Sequence, residues 1–296
     1  MSLDTHDVKL NRRPFRRWWR ETGWRHLVGA GIVVFSMFPL VYILSASLNP
    51  GGTLITANNL FGTVNLGSYI DLFNRPQQPY AAWFGNTLFI GLTASAGSVL
   101  LGALAAYAFS RMRFTGRRLG LITLVLVQMF PQLLAMVAIF LLMLGIGEIF
   151  PAIGLNSQIG LIMVYLGGAL GVNTYLMYGF FNTVPSSIDE AARIDGAGHA
   201  RIFFTIILPL VSPILAVVAL LSLVGTLSEF VIASVLLRDP ERQTLAVGLY
   251  QFISQETSQN WSVFAAGAVL AAIIPVVLFL LLQRYIVSGL VAGSVK

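Results

Sequence analysis

Two places in this 296-residue chain set chemically able side chains among long apolar runs. One is Glu229, the only acid within such a run. A charge at the bilayer centre costs about 2.5–3.5 kcal/mol on insertion scales, so an acid there marks a transport pathway by default. The other is the polar segment Ser187-Ile-Asp-Glu190-Ala191-Ala192-Arg-Ile-Asp195-Gly196-Ala197, which runs on to Ile206-Ile-Leu208-Pro209. Its charges suit a grip by another protein. Covalent catalysis has no footing. The chain has no cysteine, which excludes disulfides, thiol catalysis and cysteine metal sites. Its histidines, His6, His26 and His199, lie far apart and form no ligand cluster. No His or Asp falls inside an apolar run, so an intramembrane enzyme lacks its base or its metal ligands.

The elements that must hold these residues are membrane helices. Hydrophobic residues make up 56% of the chain and charged ones 10%, against roughly 25% charged in soluble domains. Mean hydropathy is +0.80. Six stretches reach the length of about 20 residues that a bilayer requires: Leu27–Leu48, Trp83–Phe109, Leu119–Leu144, Ile159–Phe181, Ile202–Leu237 and Val263–Leu282. An open sheet cannot face lipid and the alternation of a barrel is absent, so an all-α membrane protein is predicted. The fifth stretch is too long for one span, and Pro209 and Pro213 predict an interfacial helix ahead of the crossing one. Glu229 then lies about 29 Å along that helix, near the outer surface. There it either lines an outer vestibule or caps the helix end.

Orientation follows from charge. With the N-terminus in the cytoplasm, every basic residue except Arg75, Arg238 and Arg242 falls inside, out of 18 in all, as the positive-inside rule requires. Both termini and the Glu190 segment are then cytoplasmic. The first span is long for a signal peptide and is expected to stay as an anchor. The net charge of +6 and the tail Arg16-Arg17-Trp18-Trp19-Arg20 point to anionic headgroups rather than nucleic acid. The expected organisation is a basic tail (1–26), a first span with its outer loop (27–82), a membrane core (83–284) with a cytoplasmic loop (182–204), and a C-terminal tail (285–296).

Ser187 and Glu190 have the spacing of a capping box, so a short helix is predicted to start there. Gly196 lets the chain turn, and Pro209 closes the segment. Glu190-Ala191-Ala192, three residues, Gly196, nine residues, Ile206, one residue and Leu208-Pro209 form a restrictive pattern. It resembles the EAA loop by which permease subunits of binding-protein-dependent ABC importers dock on their ATPase. Other segments are similar to the maltose/maltodextrin (MalG-type) branch of that family. They are Met37-Phe38-Pro39, Ala105–Phe114, Gln128-Met-Phe-Pro131, Tyr165-Leu-Gly-Gly168, Leu236–Asp239, Leu245–Gly248 and Gln283–Lys296.

That resemblance implies a type I importer permease in the bacterial inner membrane, translocating maltose or maltodextrins by alternating access. Trehalose or another oligosaccharide remains an alternative cargo. Its partners would be a second, MalF-like permease, a homodimer of cytoplasmic ATPase and an extracellular sugar-binding protein. ATP and Mg would sit on the ATPase, with no cofactor on this chain, which indeed has no Gly-x-x-x-x-Gly-Lys-Ser/Thr loop. Glu190, Ala191, Ala192, Gly196, Ile206, Leu208 and Pro209 would couple to the ATPase, the two alanines packing closely in its cleft. Gln251, Gln255, Asn260 and Trp261 would belong to a loop that meets the binding protein. Ser294 and Lys296 would contact the ATPase from the tail. Gln128, Gln132, Asn173, Tyr165 and Tyr175, with Glu229, are candidates for the sugar pathway, although polar groups in spans more often join helices. An ion-coupled secondary transporter is the competing class; it would be expected to show paired repeats and buried mid-membrane acids.

Overall fold

In the computed structural model, residues 18–49, 52–53, 59–62, 64–168, 170–254 and 260–292 are described, without the side chains of residues 132 and 286–292. All regular structure among them is helical. The helices are α1 (Trp24–Ser47), α2 (Gly67–Phe73), α3 (Tyr80–Arg111), α4 (Arg117–Gln128), α5 (Gln132–Ile149), α6 (Gln158–Gly168) and α7 (Val172–Phe181). They continue with α8 (Ser186–Ile194), α9 (His199–Leu210), α10 (Ser212–Ser228), α11 (Val231–Leu236), α12 (Leu245–Tyr250) and α13 (Trp261–Ala292).

Three helical stretches, Trp19–Ser47, Tyr80–Arg111 and Trp261–Tyr285, are long and apolar enough to cross a membrane. Three bent pairs pass the same test together, which makes six if each pair is one span. The third and fourth sequence stretches are not the single helices expected. The α4–α5 pair bends by 96° and the α6–α7 pair by 52°. Pro131, just before α5, has no N–H to give and crowds the preceding turn. The fifth stretch breaks twice. A bend of 80° separates α9 from α10 at Val211, between the two prolines that predicted it, and a second break at Glu229 ends α10.

α3 is the axis of the fold and packs against α10, α7 and α6. Its buried face includes Thr87, Gly91, Ala94, Ser95, Ser98, Gly102, Ala103 and Ala106. Small residues at helical spacing let neighbouring helices come close, the device membrane bundles use in place of a hydrophobic driving force. Ser95 Oγ also donates to the Ala219 carbonyl of α10 at 2.8 Å. α1, by contrast, packs chiefly on α13 and leaves Val34 and Phe35 71% and 82% exposed. A helix apolar on all sides and this open belongs against lipid.

Candidate functional site

The Glu190 segment folds as a helix, a turn and a second helix. α8 begins at Ser186, one residue before the predicted start, and neither Ser187 nor Glu190 makes a capping bond. Pro185 (φ −59°, ψ 135°) occupies the N-cap with no side-chain acceptor to offer, so Ser187 lies inside the first turn instead of at the cap. The far end is a Schellman turn. Gly196 N–H donates to Arg193 O at 3.0 Å and Ala197 N–H to Ala192 O at 2.9 Å. Gly196 has φ +80°, where a Cβ would crowd the carbonyl. Gly196→Ala is therefore expected to cost about 1–2 kcal/mol, read as a lower unfolding temperature in detergent.

α8 is two-faced. Asp189 and Ala192 are buried, whereas Glu190, Ala191, Arg193 and Ile194 are exposed, Ile194 to 87%. Ala192 therefore does not share the outward face expected of it with Ala191. It joins a core cluster with Tyr107, Met177, Phe181 and Phe203. Ile206 and Leu208 of α9 pack against the same cluster, and Pro209 is exposed. Asp189 meets Arg111, the last residue of α3, in an ion pair of 2.8 Å whose side chains are 9% (Arg111) and 5% (Asp189) exposed. Arg111 Nη2 also donates to Val184 O at 2.7 Å, in the turn ahead of α8. Sequence reading missed this pair; an arginine ending an apolar span was the one available signal. Beside it lies a cleft of about 610 Å³, lined in part by Arg113, Arg117, Glu190, Arg193 and His199.

At the opposite end of the bundle, Gln251 donates to Gln243 Oε1 at 2.6 Å. Asn260 Oδ1 accepts from Arg75 Nη2 at 3.0 Å, and Trp261 N–H donates to Gly52 O at 2.8 Å. Gln255, Ser294 and Lys296 lie outside the described residues, as does the side chain of Gln132.

Four of the pathway candidates join backbone or helices. Gln128 Nε2 donates to Gly168 O at 2.8 Å and its Oε1 accepts from Val172 N–H. One amide thus serves two backbone groups freed by the break between α6 and α7. Asn173 Nδ2 donates to Ser222 Oγ at 3.1 Å, tying α7 to α10. Glu229 resolves to a cap: it is the C-cap residue that ends α10, and its side chain also caps the start of the next helix. Its carboxylate accepts from Ile232 N–H at 2.7 Å and Ala233 N–H at 2.9 Å, which opens α11, and from Tyr165 Oη at 2.7 Å. Tyr175 is 54% exposed on α7. Glu229→Ala is expected to cost about 2 kcal/mol, because α11 loses its cap and the Tyr165 hydroxyl its partner. Glu229→Gln should cost less, since its carbonyl oxygen still accepts. Thermal unfolding of the two variants measures the difference.

Residues 98–291 match the family described as binding-protein-dependent transport system inner membrane component. The chain is 42% identical to the galactooligosaccharides transport system permease protein GanQ of Bacillus subtilis, over 92% of this chain and 94% of that protein. Identity to the maltodextrin transport system permease protein MdxG of the same organism is also 42%, over 88% and 91%. To the maltose/maltodextrin transport system permease protein MalG of Escherichia coli K12 it is 38%, over 92% and 94%. The fold matches a chain of a bacterial ABC transporter involved in the import of the acidic polysaccharide alginate. That match has a TM-score of 0.74 and 25% identity, covering 91% of this chain and 98% of the other. The chain thus belongs to the family of binding-protein-dependent transport system inner membrane components, as the membrane-embedded permease of an ABC sugar importer.

Proposed function

We propose that this permease carries maltose and maltodextrins across the bacterial inner membrane by alternating access. A separate ATPase dimer would drive it through α8, and a second permease subunit would complete the pathway. The observation that carries this reading is the division of α8 into an anchored face (Asp189, Ala192) and an open one (Glu190, Ala191, Ile194), in a chain 38–42% identical to sugar permeases. A knob fixed to the bundle on one side and free on the other passes movement of a docked partner to the spans.

In this reading α8 and both termini face the cytoplasm, in line with the distribution of arginine. ATP and Mg reside on the ATPase, and the Ser294–Lys296 tail reaches toward it. The Gln251–Trp261 loop faces outward and meets the loaded binding protein. Tyr175 and the Gln132 position stay candidates for sugar contact. Galactooligosaccharides are the second reading, favoured by the 42% identity to GanQ.

Proteoliposomes holding this chain with its second permease and ATPase test the assignment. Maltodextrin-loaded binding protein is expected to stimulate ATP hydrolysis and uptake. Stimulation by a galactooligosaccharide-loaded protein alone would keep the mechanism and change the cargo. Uptake that follows an ion gradient with no associated ATPase would overturn the reading.

A further inference from the structure

One helix touches both working ends of the molecule. α3 runs 32 residues from Tyr80 to Arg111, about 48 Å at helical rise. It is also the one uninterrupted, proline-free span among the described residues. α1 contains Pro39, α13 contains Pro275, and the other three spans are bent pairs. Prolines and breaks are where helices bend, and α3 alone of these spans carries neither.

Its ends are tied by specific bonds. At one end Arg111 holds Asp189 of α8 at 2.8 Å and Val184 O at 2.7 Å. At the other, successive turns of α3 hold the segment that leads into α12. Trp83 Nε1 donates to Pro240 O at 2.7 Å. Asn86 Nδ2 donates to Glu241 O at 2.8 Å and Gln243 O at 2.9 Å. Thr87 Oγ1 accepts from Leu245 N–H at 2.7 Å. From there α12 runs to Tyr250, next to Gln251.

We propose that α3 is the strut that transmits movement between α8 and the 240–251 segment, with Arg111 as the positioning residue of one joint and Asn86 of the other. The proposal rests on the reading that α8 docks an ATPase and that the opposite face receives a binding protein. A displacement of α8 pulls on α3 through the Arg111–Asp189 pair, whose side chains are 9% and 5% exposed, and through the bond from Arg111 to Val184 O. α3 in turn cannot shift without carrying the backbone of residues 240–245. The linkage proposed is one of position alone.

The test uses the full complex in proteoliposomes and compares wild type with Arg111→Met/Asp189→Asn. That double variant removes the pair without leaving a buried charge alone. ATPase retained on purification and the ratio of stimulated to basal hydrolysis are read together. We expect the ATPase to be retained and the ratio to fall by about fivefold or more, the scale of coupling between linked sites. Asn86→Ala should lower the ratio likewise, and adding it to the double variant should deepen the loss little, because a strut is lost once either joint fails. A ratio within about twofold of wild type, the scatter of independent sites, would overturn the strut. Loss of the ATPase from the double variant alone would also overturn it, making the pair an assembly contact. If even the wild type retains no ATPase, the docking reading fails first and the strut with it.

Discussion

Glu190→Lys is expected to abolish stimulated ATP hydrolysis while leaving the permease folded. Glu190 is exposed on the open face of α8, and exposed substitutions of this kind usually change stability by no more than about 0.5 kcal/mol. The effect must therefore come from the partner. If the docking cleft is basic or polar, as the carboxylate implies, a lysine brings like charges together at a desolvated contact, at a cost of several kcal/mol. About 3 kcal/mol weakens ATPase binding roughly 100-fold. Co-purification and stimulated ATPase activity should fall together, with the variant's unfolding temperature near that of wild type. An unchanged ATPase yield would show that this face of α8 is not the docking surface.

Asp189→Ala, one position away, should fail for the opposite reason. It strands the Arg111 guanidinium, whose side chain is only 9% exposed, without its counter-charge. Breaking a buried pair from one side costs about 3–5 kcal/mol, whereas replacing both members with neutral residues of similar size is often close to neutral. Asp189→Ala should therefore lower yield and unfolding temperature far more than Arg111→Met/Asp189→Asn does. Equal losses in the two variants would mean that the pair adds nothing specific to the bundle. Neighbouring acids on one short helix thus report on different things: Glu190 on the partner, Asp189 on the permease's own frame.

The neighbours' contrast was not legible in the sequence. Both acids sit in the same polar segment, and the spacing of Glu190, Gly196 and Pro209 marks the knob without saying which side of α8 is covered. Which side is covered depends on Arg111, 78 residues earlier and at the end of another helix. The capping box failed for a local reason, since Pro185 occupies the N-cap and the helix starts one residue early.

What the sequence determined by itself was whatever depends on near neighbours and on solvent. Composition and the length of the apolar runs specify helices in a membrane, because no other open structure satisfies its backbone there. The polar segment, the Gly196 turn and the break between Pro209 and Pro213 follow from backbone chemistry within a few residues. The tertiary structure alone decided how polar groups within the spans are used. Gln128, Asn173, Tyr165 and Glu229 look alike in sequence, as polar residues in apolar runs. In apolar surroundings each must find a partner, and beyond the local cap of Glu229 on Ile232 and Ala233 those partners lie on breaks and helices 40 to 64 positions away. No local pattern encodes those distant pairings; only the packing of α4, α6, α7 and α10 brings the groups within reach.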